Sequence, residues 1–231
     1  MVFGAIRSGF ESLLPSMKIE LVDACADDLA VVNSARVSFA QNTAIMRKSD
    51  EGLIRFLMRD RHGSPFEHTY FRWHVEAPLF VFREWHRHRA GHSYNEMSGR
   101  YTKLERKFYY PEARVQEGKP GKYKFKTIKG IKAKLLKAIL WPTYNSAYFV
   151  YWLLVKMGFA KEIARVVLPL ATYSQMYWSC NSRSLMHFLG LRYPEAAQRE
   201  MQIMCRQIEP QFAARMPITY EAFVKNGRVS P

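Results

Sequence analysis

His68-Thr69-Tyr70-Phe71-Arg72-Trp73-His74-Val75-Glu76 alternates polar and apolar residues, with the period of two that a pleated strand imposes. Tyr70, Arg72, His74 and Glu76 fall on one face and Phe71, Trp73 and Val75 on the other, so the segment reads as a half-buried strand. Pro78 then suits the first turn of a helix, where a missing N–H breaks no intrahelical hydrogen bond. That helix is expected to carry Phe80, Val81, Trp85 and the triplet Arg87-His88-Arg89.

Upstream, the run from Met17 to Asp23 alternates in the same way, and Asp27 or Asp28 can cap a helix through Leu29, Val32 and Ala35. A second helix is expected from Glu51 to Arg59, ended by the turn His62-Gly63-Ser64-Pro65. Downstream, a strand from Arg100 precedes a basic region broken by Gly118, Pro120, Gly121 and Gly130, which reads as a flexible segment. Helical patterns follow near 132–157, 160–167, 182–190 and 194–211, with a strand-like stretch at Tyr173 to Trp178. Strands mixed with helices, and no repeat or linker, predict a single α+β domain over 17–231, after an extension at 1–16 with Met17 resembling a natural start.

With 231 residues and 48% hydrophobic content the chain can fill a core without staples. Cys25, Cys180 and Cys205 are odd in number and widely spaced, which argues for a reducing compartment and against disulfides; buried, inert thiols are expected at all three. Arg7 and Glu11 interrupt the apolar positions of the first residues, and no later segment approaches a membrane span, so a soluble, cytoplasmic protein is expected. The net charge of +15 is concentrated: Lys103 to Lys137 holds twelve Lys and Arg against Glu105, Glu112 and Glu117, a net of +9. Such a stretch is most simply a solvated face, and it can also steer anions.

The segment from Arg83 to Tyr101 holds four arginines and three histidines beside Glu84, Ser93, Glu96 and Ser98. Arg87, Arg89 and Arg100 offer fork-shaped donors for phosphate or carboxylate, while Asn95, Glu96 and Ser98 supply partners for a base or sugar. That mixture describes a nucleotide-sized site. Arg87-His88-Arg89 followed by Ser93-x-Asn95-Glu96-x-Ser98-x-Arg100-Tyr101 resembles the signature of the flavin-dependent thymidylate synthases. Further blocks resemble that family in order: His62-Gly-Ser64-Pro65-Phe66-Glu67-His68, Ala164-Arg165-x-Val167-Leu168-Pro169, Asn181-x-Arg183-Ser184-Leu185-x-His187-Phe188, Leu191-Arg192 and Ala197-Gln198-x-Glu200. The chain departs from the family in having eight residues between Arg89 and Ser98 instead of seven, the extra one among Ala90, Gly91 and His92, and in having Glu84 where glutamine is common.

The resemblance implies an α+β domain with a mainly antiparallel sheet flanked by helices, and a basic insertion near 106–135. It implies FAD reduced by NADPH, and methylenetetrahydrofolate as the one-carbon donor for methylating dUMP at the uracil C5 without an enzymic cysteine. It implies dUMP contacts from Glu84, Arg87, Glu96, Ser98, Gly99, Arg100, Arg165 and Arg192, with Arg192 catalytic at the uracil edge. FAD contacts are implied for His62, Ser64, Glu67, Arg87, His88, Arg89, Glu96, Asn181, Arg183 and His187, in a homotetramer whose sites are shared between subunits. No Gly-x-Gly-x-x-Gly follows a strand, so a Rossmann mode of FAD binding is not expected. Two rivals are weaker. A metal site on His86, His88 and His92 is disfavoured because His88 and His92 could share a helical face but His86 points elsewhere, Glu96 is the only nearby acidic ligand and Gly91 interrupts the helix. A nucleic-acid-binding role for residues 103–137, with Phe108, Tyr109, Tyr110, Tyr123 and Phe125 interleaved, has no accompanying recognition motif.

Overall fold

The computed structural model describes residues 16–119 and 123–231. In order they form β1 (Lys18–Cys25), α1 (Asp28–Arg36), α2 (Lys48–Arg59), β2 (Tyr70–Pro78), α3 (Leu79–Trp85), β3 (His92–Glu96), β4 (Arg114–Glu117) and β5 (Lys124–Thr127). There follow α4 (Ile131–Lys156), α5 (Lys161–Ala164), β6 (Tyr173–Cys180), α6 (Ser182–Arg192), α7 (Arg199–Arg215) and α8 (Pro217–Lys225), with short 3-10 turns at Val37–Phe39, Ser64–Glu67 and Arg165–Val167. One sheet has the strand order β1-β2-β6-β3, and β4 pairs antiparallel with β5 as a separate ribbon. The expected extension over the first residues, and Pro120, Gly121 and Lys122 of the basic region, lie outside the described residues.

The chain divides into two units of interleaved segments. One comprises Lys18–Val75, Glu84–Asn95 and Met176–Pro231. Its core is aromatic, because the inward face of β2 places Phe71, Trp73 and Val75 against the partners that β6 and α6 supply. Trp73 and Trp178 stack with centroids 4.7 Å apart, and Trp178 lies 5.0 Å from both Trp85 and Phe188. Trp73 donates to Gln211 Oε1 at 3.2 Å, and Gln211 in turn donates to Ile19 O at 3.3 Å, which ties α7 to β1 and β2. The opposite sheet face is open: His74 packs on Tyr177 at 5.5 Å, the packing role its strand position suggests.

Asp27 caps α1 by accepting from Ala30 N at 2.7 Å. Asp28, next to it, is buried and caps α8, accepting from Ile218 N (2.9 Å), Thr219 N (2.9 Å) and Thr219 Oγ1 (2.6 Å). These bonds satisfy donors that Pro217 and the helix start leave without intrahelical partners.

The second unit takes in Glu76–Arg83 and Glu96–Gln175. Its small core is Leu104, Tyr151 and Ala164, with Met97, Tyr148, Leu154, Val155, Val167 and Leu168 around it. Tyr151 Oη accepts from Leu104 N at 3.1 Å, and Tyr148 Oη donates to Leu104 O at 3.2 Å, so α4 fixes the chain just after Arg100. Elsewhere α4 is apolar and uncovered, with Trp141, Phe149 and Trp152 each about half exposed. Among the described residues no helix is long and apolar enough to cross a membrane.

Four sequence expectations need correction. The helix after Pro78 ends at Trp85, because Tyr94 Oη engages Trp85 O (3.1 Å) and His88 O (2.7 Å) and the chain then turns; Arg87-His88-Arg89 lies beyond it. The next strand is β3, ahead of Arg100, which sits in a turn. β3 alternates half-buried His92, Tyr94 and Glu96 with exposed Ser93 and Asn95, so hydrophobic periodicity is silent there. The basic region contains the β4-β5 ribbon, paired Arg114 with Thr127 through Glu117 with Lys124. Cys25, at the end of β1, is exposed, whereas Cys180 and Cys205 are buried as expected.

Candidate active site

A concavity of the first unit opens at the start of α6. Asn181 caps that helix, its Oδ1 accepting from Ser184 N at 2.8 Å, while Ser182 donates from N to Thr69 Oγ1 and from Oγ to Phe66 O, both at 2.8 Å. Ser184 Oγ donates to Ala90 O at 2.9 Å, which draws the loop after Arg89 against the helix. Gly91 makes the approach possible: its φ is 69°, and a Cβ there would lie 2.3 Å from Ser184 Oγ. Gly91, in the stretch where this chain carries its extra residue, thus takes a left-handed conformation that a side chain would strain.

Glu67, Asn181, Arg183 and His187 line a cavity of about 630 Å³, together with Arg61, Ala90, Gly91, Ser184, Ser230 and Pro231. Arg183 pairs with Glu67, and its Nε donates to Pro231 O at 2.8 Å. Arg61 and Arg183, beside Glu67, bring fork-shaped cations to a wall suited to an anionic group such as a pyrophosphate. His62, Ser64 and Arg89 are exposed and do not line the cavity. Arg61 and Ser184 were missed from sequence; the Asn-x-x-Ser capping pattern and the cation beside the His62-Gly63 turn were the available signals.

A second group in the same unit is centred on Arg192, the last residue of α6. Its Nε donates to His88 Nε2 at 2.8 Å, its Nη1 to Glu84 Oε2 at 2.8 Å and its Nη2 to Glu84 O at 3.2 Å. Arg87 reaches the same carboxylate at 3.4 Å. Burial, then the Arg192 charge and the neighbouring His92, His187 and Arg87, push the His88 imidazole down to about 3. His92 accepts from Trp178 Nε1 at 3.0 Å and is held down to about 4 by burial and then by His187. His86 packs on Tyr94 at 4.8 Å. Among the described residues no group of three or more His, Cys, Asp or Glu is placed to hold a metal ion.

In the other unit Ser98, Gly99, Arg100 and Arg165 come together. Tyr101 N and Thr102 N donate to Ser98 O at 3.1 and 3.0 Å, and Arg100 N to Ser98 Oγ at 3.3 Å, forming a tight turn. A Cβ on Gly99 would stand 3.2 Å from Arg165 Cδ, so the glycine lets that arginine lie over the turn. Arg100 pairs with Glu162 at 2.8 Å, and both arginines are exposed. Glu96 ends β3 half-buried.

The sequence profile of the family described as thymidylate synthase complementing protein matches residues 20–218. A flavin-dependent thymidylate synthase of Streptomyces coelicolor is 46% identical over 234 residues, covering 95% of each chain. The chain belongs to this family. Among the flavin-dependent thymidylate synthases, that of Thermotoga neapolitana is 43% identical, with 90% of each chain covered. Two solved structures of the UMP/dUMP methylase PolB from Streptomyces cacaoi match as well. The structure bound with 5-Br UMP has a TM-score of 0.86 at 43% identity over 94% of this chain and 97% of PolB; the one bound with 5-Br dUMP has 0.87 at 44% over 94% and 99%. The mixed helix and antiparallel-sheet fold of this flavin-dependent thymidylate synthase family member is thus the expected one.

Proposed function

We propose that the chain methylates dUMP at the uracil C5 to give dTMP, using FAD as cofactor, NADPH as reductant and methylenetetrahydrofolate as one-carbon donor. The observation that carries this reading is the arginine fork at the end of α6. Arg192 is held directly by Glu84 and His88 of the Arg83–Tyr101 segment, 108 and 104 positions earlier in sequence. Family membership and PolB, a UMP/dUMP methylase bound to halogenated UMP and dUMP, support the substrate class.

The residues present fit a flavin dinucleotide. Arg61 and Arg183 would hold its pyrophosphate, with Asn181 and His187 alongside, and bound flavin would supply the hydride that completes the methyl group. Arg100 and Arg165, with Ser98 and Gly99, would take the nucleotide phosphate and sugar. Arg192 would stand at the uracil N3/O2 edge, where a fixed cation favours the charge that builds up as C5 becomes nucleophilic. No cysteine is needed: burial pushes the Cys180 and Cys205 thiols up, away from thiolate, and Cys25 has no part in either group.

The same reading makes the protein a homotetramer with shared sites, supported by the uncovered apolar residues of α4 and the open face of the sheet. The test is an absorption spectrum of the purified protein after incubation with FAD, anaerobic bleaching by NADPH, and dTMP formation from dUMP and methylenetetrahydrofolate. A protein that takes up no flavin and forms no dTMP overturns the proposal.

A further inference from the structure

Arg192 has three hydrogen bonds, one from each guanidinium nitrogen. A guanidinium has five N–H donors, so one N–H on each terminal nitrogen is left over, and the plane of the fork is fixed before any ligand arrives. The acceptors come from one short piece of chain. Glu84 lies in the last turn of α3 and His88 just past its end, where His88 N donates to Trp85 O at 3.0 Å and Tyr94 Oη donates to His88 O at 2.7 Å. The His88 ring also packs on Phe188 of α6 at 4.8 Å, so both ends of the contact are anchored.

We propose that Glu84 and His88 are positioning residues that aim Arg192, with His88 serving as a neutral hydrogen-bond acceptor. The inference rests on the functional reading above, and it gives His88 a task beside the cofactor contact that the family resemblance implied. The chemistry requires it. His88 Nε2 can accept from Arg192 Nε only if it carries no proton, which puts the ring proton on Nδ1; a protonated ring would offer no lone pair and would set a second positive charge against the guanidinium. His88 is buried and surrounded by Arg192, Arg87, His92 and His187, all of which oppose protonation. Glu84 supplies the opposing charge, and its carboxylate is shared with Arg87. Its backbone carbonyl fixes the second terminal nitrogen, which no side-chain substitution removes.

The experiment is a double-mutant cycle on the FAD-loaded protein, using His88→Leu, His88→Gln and Arg192→Ala, with bound flavin, anaerobic flavin reduction by NADPH and dTMP formation read separately. Read per bound flavin, His88→Leu is expected to keep its reduction rate but to lose on the order of 10²-fold in kcat for dTMP, the scale of a displaced catalytic group. His88→Gln, whose amide oxygen can accept, is expected to recover most of that loss, with the shape of the pH profile between 6 and 9 unchanged. On the Arg192→Ala background His88→Leu is expected to have no further effect on kcat. The inference is overturned if the two substitutions are additive, if His88→Leu sheds flavin while turnover per bound flavin stays normal, or if a pH limb disappears with His88→Gln. Should His88→Leu fail to fold, Glu84→Gln with Arg192→Ala is read in the same way. Wild-type protein that reduces its flavin yet forms no dTMP overturns the functional reading instead, a result distinct from all of these.

Discussion

At the scale of single residues, the thermodynamic weight of the candidate site rests on a few groups whose ionisation is set by burial. Arg192→Ala removes a preorganised donor, and a loss on the order of 10²–10³ in kcat is expected, with NADPH reduction of bound flavin retained; stopped-flow reduction and a dTMP assay separate the two. Replacing Cys180 or Cys205 with Ala is expected to leave dTMP formation largely intact, since burial keeps both thiols protonated. The histidines set a pH dependence. His88 and His92 titrate near 3 and 4 in the fold, against about 6.5 when unfolded, so between those values the unfolded chain binds more protons. Their contribution is complete above pH 6.5 and is lost as pH falls toward 4. Thermal melts from pH 7 to 4.5 should show a falling Tm, and His92→Gln, which keeps an acceptor for Trp178, should fall less steeply.

Among elements, α8 shows how a carboxylate far away in sequence terminates a helix. Asp28→Ala would strand the Thr219 hydroxyl and two helix-start N–H groups, costing about 2–3 kcal/mol. In a chain of this length that is a fall of roughly 5–10 °C in Tm, with little change in flavin content. The β4-β5 ribbon is exposed on both strands and exposes Tyr123 and Phe125 among lysines. Neutralising Lys124, Lys126 and Lys129 should raise the apparent KM at low salt and spare kcat, because screened long-range attraction acts on encounter; a loss of single-stranded DNA binding instead would favour the nucleic-acid reading. These two elements also mark the limits of the sequence. Strand β2 was legible because Phe71, Trp73 and Val75 alternate into a core, and α6 because of its periodic apolar residues. The site blocks were legible through their resemblance to a family. Strand β3 and the ribbon were not, since neither has a hydrophobic face, and α8 was hidden because its cap is Asp28. The acceptor role of His88 was equally invisible: it depends on a partner 104 positions away.

For the whole molecule, α4 carries the clearest demand. A helix of 26 residues that buries only Tyr151 leaves Trp141, Phe149 and Trp152 about half exposed, the kind of apolar surface through which the proposed homotetramer would form. On the proposed homotetramer, Phe149→Glu combined with Trp152→Glu is expected to give smaller species in light scattering while circular dichroism stays native-like, and to lower flavin retention. The contact between Asp28 and Thr219 has a further consequence, for synthesis. The residues it joins are separated by 191 positions, so a chain growing on a ribosome has made nearly all of itself before the carboxylate near its beginning meets its partner. Until then α1, whose Val31 and Val32 are fully enclosed in the finished fold, lacks the packing it makes with α8. A chain that stops short of Pro217 therefore holds the Asp28 carboxylate without the three donors it accepts from.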